Sequence, residues 1–90
     1  MADLTKDTTR GKQAQRILDD EVFQGAMETL RAGIFEAWQK ELDEDDRNRL
    51  WAMGQTADQF ENVLRSIIAD GELAKAELLH INGEKRVIGM

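Results

Sequence analysis

The chain of 90 residues contains no cysteine, no proline and no tyrosine, and a single histidine. Without cysteine there is neither a disulfide to staple a small fold nor a thiolate to hold a metal. With one histidine besides, a zinc site built from the usual ligands is close to excluded. Aromatic residues are few, three Phe and two Trp. No apolar run approaches the roughly 20 residues that cross a bilayer, and the polar, mixed-charge segment from Met1 to Arg16 lacks the apolar core of a secretion signal. A chain of this length makes at most one domain, and its own core leaves little margin of stability. Well-packed helices or oligomerisation must supply the rest.

What is present favours helix. Ala, Leu, Glu, Gln, Lys and Arg dominate, and β-branched residues are scarce. Charged residues make up 33% of the chain and the net charge is −6. The charge is unevenly placed. Residues 1–16 carry four cations (Lys6, Arg10, Lys12, Arg16) against two acids. Residues 17–46 carry two cations against ten acids, and residues 47–90 balance at six against six.

Residues 1–8 read as a flexible tail, residues 9–80 as a helical domain and residues 81–90 as a tail or a short turn-linked strand. A first short helix is expected from Thr9 to Leu18, capped by Thr8 or Thr9. Asp19 is the expected N-cap of a second helix that reaches about Glu41, with Leu18 and Phe23 placed as a hydrophobic staple. In that helix Phe23, Met27, Leu30, Ile34 and Trp38 form one apolar stripe at helical period. Beside the stripe runs a row of small residues, Gly25, Thr29, Gly33 and Ala37. Two glycines there point either to close approach of another backbone or to an exposed row that tolerates them.

The segment ELDEDD, residues 41–46, reads as a turn whose acids cap a third helix over residues 46–70. Leu50, Met53, Ala57, Phe60, Leu64 and Ile67 step by alternating threes and fours, a heptad seam. Gly71 is the expected stop, Glu72 to Leu79 a fourth short helix, and Asn82-Gly83 a tight-turn pair before a possible strand at 86–88. The expected fold is all-α, an antiparallel helical hairpin with short flanking helices, in an oligomer.

Catalysis finds no support in these residues. An EF-hand begun at Asp43 places Arg47 at the fifth position, Asn48 where glycine is required and Gly54 where a bidentate glutamate is required, so the pattern fails. The acids are clustered among polar residues rather than set in contrasting environments, the sequence offers His80 no cysteine and no evident acid at a defined spacing to orient it, and neither a phosphate loop nor a nucleophile elbow occurs. No cofactor is expected. Only the N-terminal arm is basic, which disfavours nucleic acid. The chain is therefore expected to bind protein, and the residues singled out for that role are Glu41, Asp43, Glu44 and Asp45 in the acidic turn, Trp51 at the edge of the heptad face, and Gly25 and Gly33 in the small-residue row.

Four segments carry a family resemblance: Ile17 to Phe23 (ILDDEVF), Ala37-Trp38, Arg47 to Trp51 (RNRLW) and Ile67 to Ala74 (IIADGELA). Through them residues 14–79 resemble small uncharacterised helical proteins of tailed bacteriophages and prophages. The resemblance implies a setting, a phage product made in the cytoplasm of a bacterial host and acting there or in the virion. It implies no site residues. Three functions fit: a structural or assembly protein of the particle, an acidic inhibitor of a host enzyme or defence complex, and a small-ligand binder at an oligomer interface.

Overall fold

The computed structural model describes residues 3–88, with side chains as far as Asn82. Its elements are three helices, α1 (Leu4–Asp19), α2 (Glu21–Lys40) and α3 (Glu44–Ile88), and no strand occurs among the described residues. The protein is all-α. No helix among them is long and apolar enough to cross a membrane.

The helix boundaries follow from caps, and several differ from those expected. α1 begins at Leu4, not Thr9, because Asp3 serves as its cap, its Oδ1 accepting the Lys6 amide at 3.1 Å. Residues 4–8, read as tail, are thus helical. Thr8 and Thr9 lie inside the helix and donate their hydroxyls to the carbonyls of Leu4 and Thr5, the in-helix alternative to capping. α2 is capped by Asp20 rather than Asp19. Its backbone is extended (φ −70°, ψ 125°) and its side chain accepts the Phe23 amide at 2.8 Å. The shift by one residue moves Phe23 to the third helical position, off the staple site. The linker is one residue long, and Gln24 crosses it by donating to the Leu18 carbonyl at 2.7 Å.

α3 shows the largest departure. It runs unbroken for 45 residues, through Gly71 and through Asn82-Gly83. Neither the stop at residue 71 nor a separate fourth helix forms, and the segment 86–88 is helical rather than strand. No described residue has a positive φ, the conformation both a glycine stop and an Asn-Gly turn require. Residues 89 and 90, the end of the expected tail, lie outside the described residues, as do residues 1 and 2.

The chain divides into two compact units. The first comprises residues up to Ile17 with those from Leu64 onward. Here the two helix backbones touch at a pair of glycines. A Cβ added to Gly11 would lie 2.9 Å from the Gly71 Cα, and one added to Gly71 would lie 2.8 Å from the Gly11 Cα and 2.9 Å from the Asp7 carbonyl oxygen. Ala14 and Ala74, one helical turn on from the two glycines, are each 3% exposed. Gly71 is thus a packing glycine, and its helix passes through because leaving out one side chain offsets glycine's poor helix propensity.

The second unit spans Leu18–Val63. Contacts along its two helices run in opposite order. Phe23 meets Phe60 with ring centroids 6.1 Å apart. Arg31 bridges Asp58 at 2.9 Å and Glu61 at 3.0 Å. Ile34 lies 3.9 Å from where a Gly54 Cβ would be, and the Arg47 guanidinium stacks 4.2 Å from the centre of the Trp38 ring. On α3 the inward row is Leu50, Gly54, Ala57 and Glu61, all buried or half-buried. It shares Leu50 and Ala57 with the expected seam but takes Gly54 and Glu61 in place of Met53 and Phe60. Gly54 faces Ile34 at a distance where a Cβ would make an ordinary contact, and Glu61 pairs with Arg31. The exchange leaves Met53 and Phe60 half exposed.

Candidate functional site

The acidic turn is built from its own backbone needs. Glu41 closes α2, its amide donating to the Ala37 carbonyl at 3.0 Å. Its carboxylate turns back to accept the amides of Leu42 and Asp43 at 3.1 and 3.0 Å. Asp43 is the N-cap of α3 and accepts the Asp46 amide at 2.9 Å. The cap is therefore Asp43 and not Asp46, as the expected helix start implied. Asp46 instead faces Arg49 one turn on, at 3.6 Å, an exposed pair of small energetic weight. Glu44 and Asp45 are exposed in the first turn, where their charge suits the helix dipole. Two of the four acids proposed for partner binding thus have a structural task, and two stand in solvent. Among the described residues no group of three or more His, Cys, Asp or Glu is placed to hold a metal ion.

Beyond this turn lies an apolar groove of about 270 Å³, lined by Ile34, Phe35, Trp38, Leu50, Trp51 and Gly54, with Arg31 and Asp58 at its polar side. Trp51 is 61% exposed and Phe35 57%. Trp38 is half-buried between Phe35, whose ring stacks on it at 6.0 Å and 17°, and the Arg47 guanidinium. The turn and the groove adjoin because Arg47, in the first turn of α3, covers Trp38 on the groove wall. The structure therefore brings Trp51 and the acidic turn to one end of the unit. Gly25 and Gly33 do not join them. A Cβ on either would meet nothing within 4 Å, so among the described residues no other segment packs against these two glycines.

Two features lie outside the sequence reading. Phe35 sits one residue off the apolar stripe, and an aromatic out of register on an amphipathic helix is itself a signal of a second apolar face. Arg31, between Leu30 and Ile34, is a cation within the stripe, and that position already calls for an acid on the facing helix. Its guanidinium is held above its ordinary, already high pKa by hydrogen bonds to Glu61 and then Asp58, partly opposed by desolvation.

Compared with known families, with curated proteins and with solved structures, the chain matches none.

Proposed function

We propose that this chain is a non-enzymatic protein-binding protein of a tailed bacteriophage, used in building the particle in the cytoplasm of a bacterial host. In this reading residues 18–63 form an antiparallel helical hairpin that presents its binding surface at the turn end. The observation that carries the reading is the exposed pair Phe35 and Trp51 in an apolar groove beside an acidic turn. Exposed tryptophan in such a setting is typical of the few residues that supply most of an interface's energy. The phage setting rests on the resemblance of residues 14–79. The partner surface that fits is an apolar side chain flanked by Lys or Arg.

A second reading has an observation of its own. Glu44 and Asp45 stand exposed in a turn whose caps are Glu41 and Asp43, a surplus of charge suited to covering a basic, nucleic-acid-binding surface of a host protein. The two readings part on location. Tagged protein expressed during infection is followed into purified particles, and its bound proteins are identified by mass spectrometry for the wild type and for Trp51→Ala. The assembly reading expects incorporation into particles and capture of a virion subunit, with Trp51→Ala costing about 2 kcal/mol or more of binding. Absence from particles together with capture of a host protein favours the inhibitor. Binding unaffected by Trp51→Ala removes the groove from either reading.

A further inference from the structure

The groove beside the acidic turn has polar groups along one wall as well as apolar ones. Trp51, Gln55 and Asp58 line it from α3, spaced by four and three residues. One face of that helix therefore presents an indole, an amide and a carboxylate in a row. Phe35 and Trp38 line it from α2. Both tryptophans of the chain and one of its three phenylalanines thus meet in one groove. The larger groove on the opposite flank, about 660 Å³ between Met27, Leu30, Met53 and Phe60, has no carboxylate in its lining.

We infer that the aromatic groove receives an arginine side chain of the protein partner, its guanidinium stacked on the Trp51 indole and paired with Asp58. The inference rests on the proposed function and deepens it, since it names the cation beside the partner's apolar side chain and the residues that hold it. Three observations select arginine. The first is a precedent within the groove. The Arg47 guanidinium lies 4.2 Å from the centre of the Trp38 ring, so one indole here already takes this group at stacking distance. Trp51, 61% exposed, offers the second indole to solvent. The second observation is the carboxylate. Arg31 holds Oδ1 of Asp58 at 2.9 Å, yet that side chain remains 57% exposed and open to a second donor. The third is the balance of charge. Residues 18–63 carry twelve acids against four cations. Each of the four is engaged: Arg31 with Asp58 and Glu61, Lys40 with Glu36, Arg49 with Asp46, and Arg47 on Trp38. The surplus in this unit is negative and favours an incoming cation. Arginine suits the groove better than lysine because its guanidinium is planar, weakly hydrated and able to stack and pair at once.

The test uses the full chain and capped amino acids as probes, followed through the indole N–H signals of Trp38 and Trp51 in proton–nitrogen correlation spectra. N-acetyl-arginine amide is expected to shift the Trp51 signal saturably in the millimolar range. N-acetyl-citrulline amide keeps the shape and lacks the charge. It and N-acetyl-norleucine amide are expected to bind about fivefold more weakly or less, in keeping with loss of an exposed cation–π contact. Asp58→Asn is expected to bring the arginine probe down to the citrulline level. Glu77→Gln, the same loss of charge in the other unit, is expected to leave it unchanged. The inference is overturned if the arginine probe gives no saturable shift, if citrulline or norleucine binds as well, or if Asp58→Asn leaves the preference intact. If Asp58→Asn unfolds, the ranking of probes on the wild type decides. Capture of a partner and its loss with Trp51→Ala test the proposed function separately. A partner held through Trp51 without any arginine preference would therefore strike this inference alone.

Discussion

Single residues in this protein take their meaning from what lies across from them. Glycines in comparable helical positions divide into two kinds. Gly11 and Gly71 touch backbone to backbone, and an alanine at residue 71 would place its methyl 2.8 Å from the Gly11 Cα, where no flexible side chain can yield. Gly71→Ala is expected to destabilise the protein in a denaturant titration, although it raises helix propensity by about 1 kcal/mol. Gly25 faces open space, so Gly25→Ala is expected to stabilise by up to about that amount. The same sign for both variants would refute the glycine contact. At the acidic turn, Asp43→Ala removes the α3 cap and should cost about 0.5–2 kcal/mol. Glu44→Gln should change stability little, since its side chain caps nothing and is exposed.

At the scale of elements, α3 decides the architecture. It contributes its first part to one compact unit and its last part to the other. Leu64 begins the second of these stretches and is 8% exposed. Leu64→Ala should cost about 2–5 kcal/mol by transfer and cavity terms, read as a lower urea midpoint. A loss near zero would contradict its burial. Between α2 and α3 the Arg31 pairs with Asp58 and Glu61 bridge partly exposed side chains. Arg31→Gln is expected to cost about 1 kcal/mol or less in low salt and less still in high salt, since screening weakens such pairs. An effect independent of salt would assign the loss to packing of the arginine stem instead.

Across the whole molecule, the described core is thin. Its buried apolar residues are Ala14, Met27, Ala57, Leu64 and Ala74, and no large side chain is fully enclosed. Meanwhile Val22, Leu42, Trp51, Leu73 and Leu79 are each more than half exposed. Scattered apolar exposure is ordinary, but faces that line grooves on both flanks of one helix pair ask for partners. The acidic turn adds a long-range term. Neutralising Asp43, Glu44 and Asp45 to Asn or Gln should slow association with a basic partner, mainly at low salt. Folding should barely change, because Asp43→Asn keeps a capping side chain. An unchanged association rate in surface-plasmon kinetics at low salt would leave the cluster with its capping role alone.

Helical class, the breaks near residue 20 and after residue 40, and most of the apolar stripe of α2 were legible in the chain because they depend on propensity and periodicity. The exposure of Trp51 at the margin of the heptad face was legible for the same reason. The capping residues themselves, Asp20 and Asp43, were misplaced by one and three residues because several neighbouring acids offer the same local chemistry. Which of two overlapping rows on α3 turns inward was not, because residues three and four apart share a face and the choice rests on the facing helix, where Arg31 pairs with Glu61. Nor was the fate of Gly71. A glycine followed by polar residues reads locally as a helix stop, and the contact that carries the helix onward comes from Gly11, far earlier in the chain. Local sequence determined that the chain is helical and roughly where two helices begin. The tertiary structure decided how far the third one runs and which of its faces are left open, because both depend on backbone approach between residues distant in sequence.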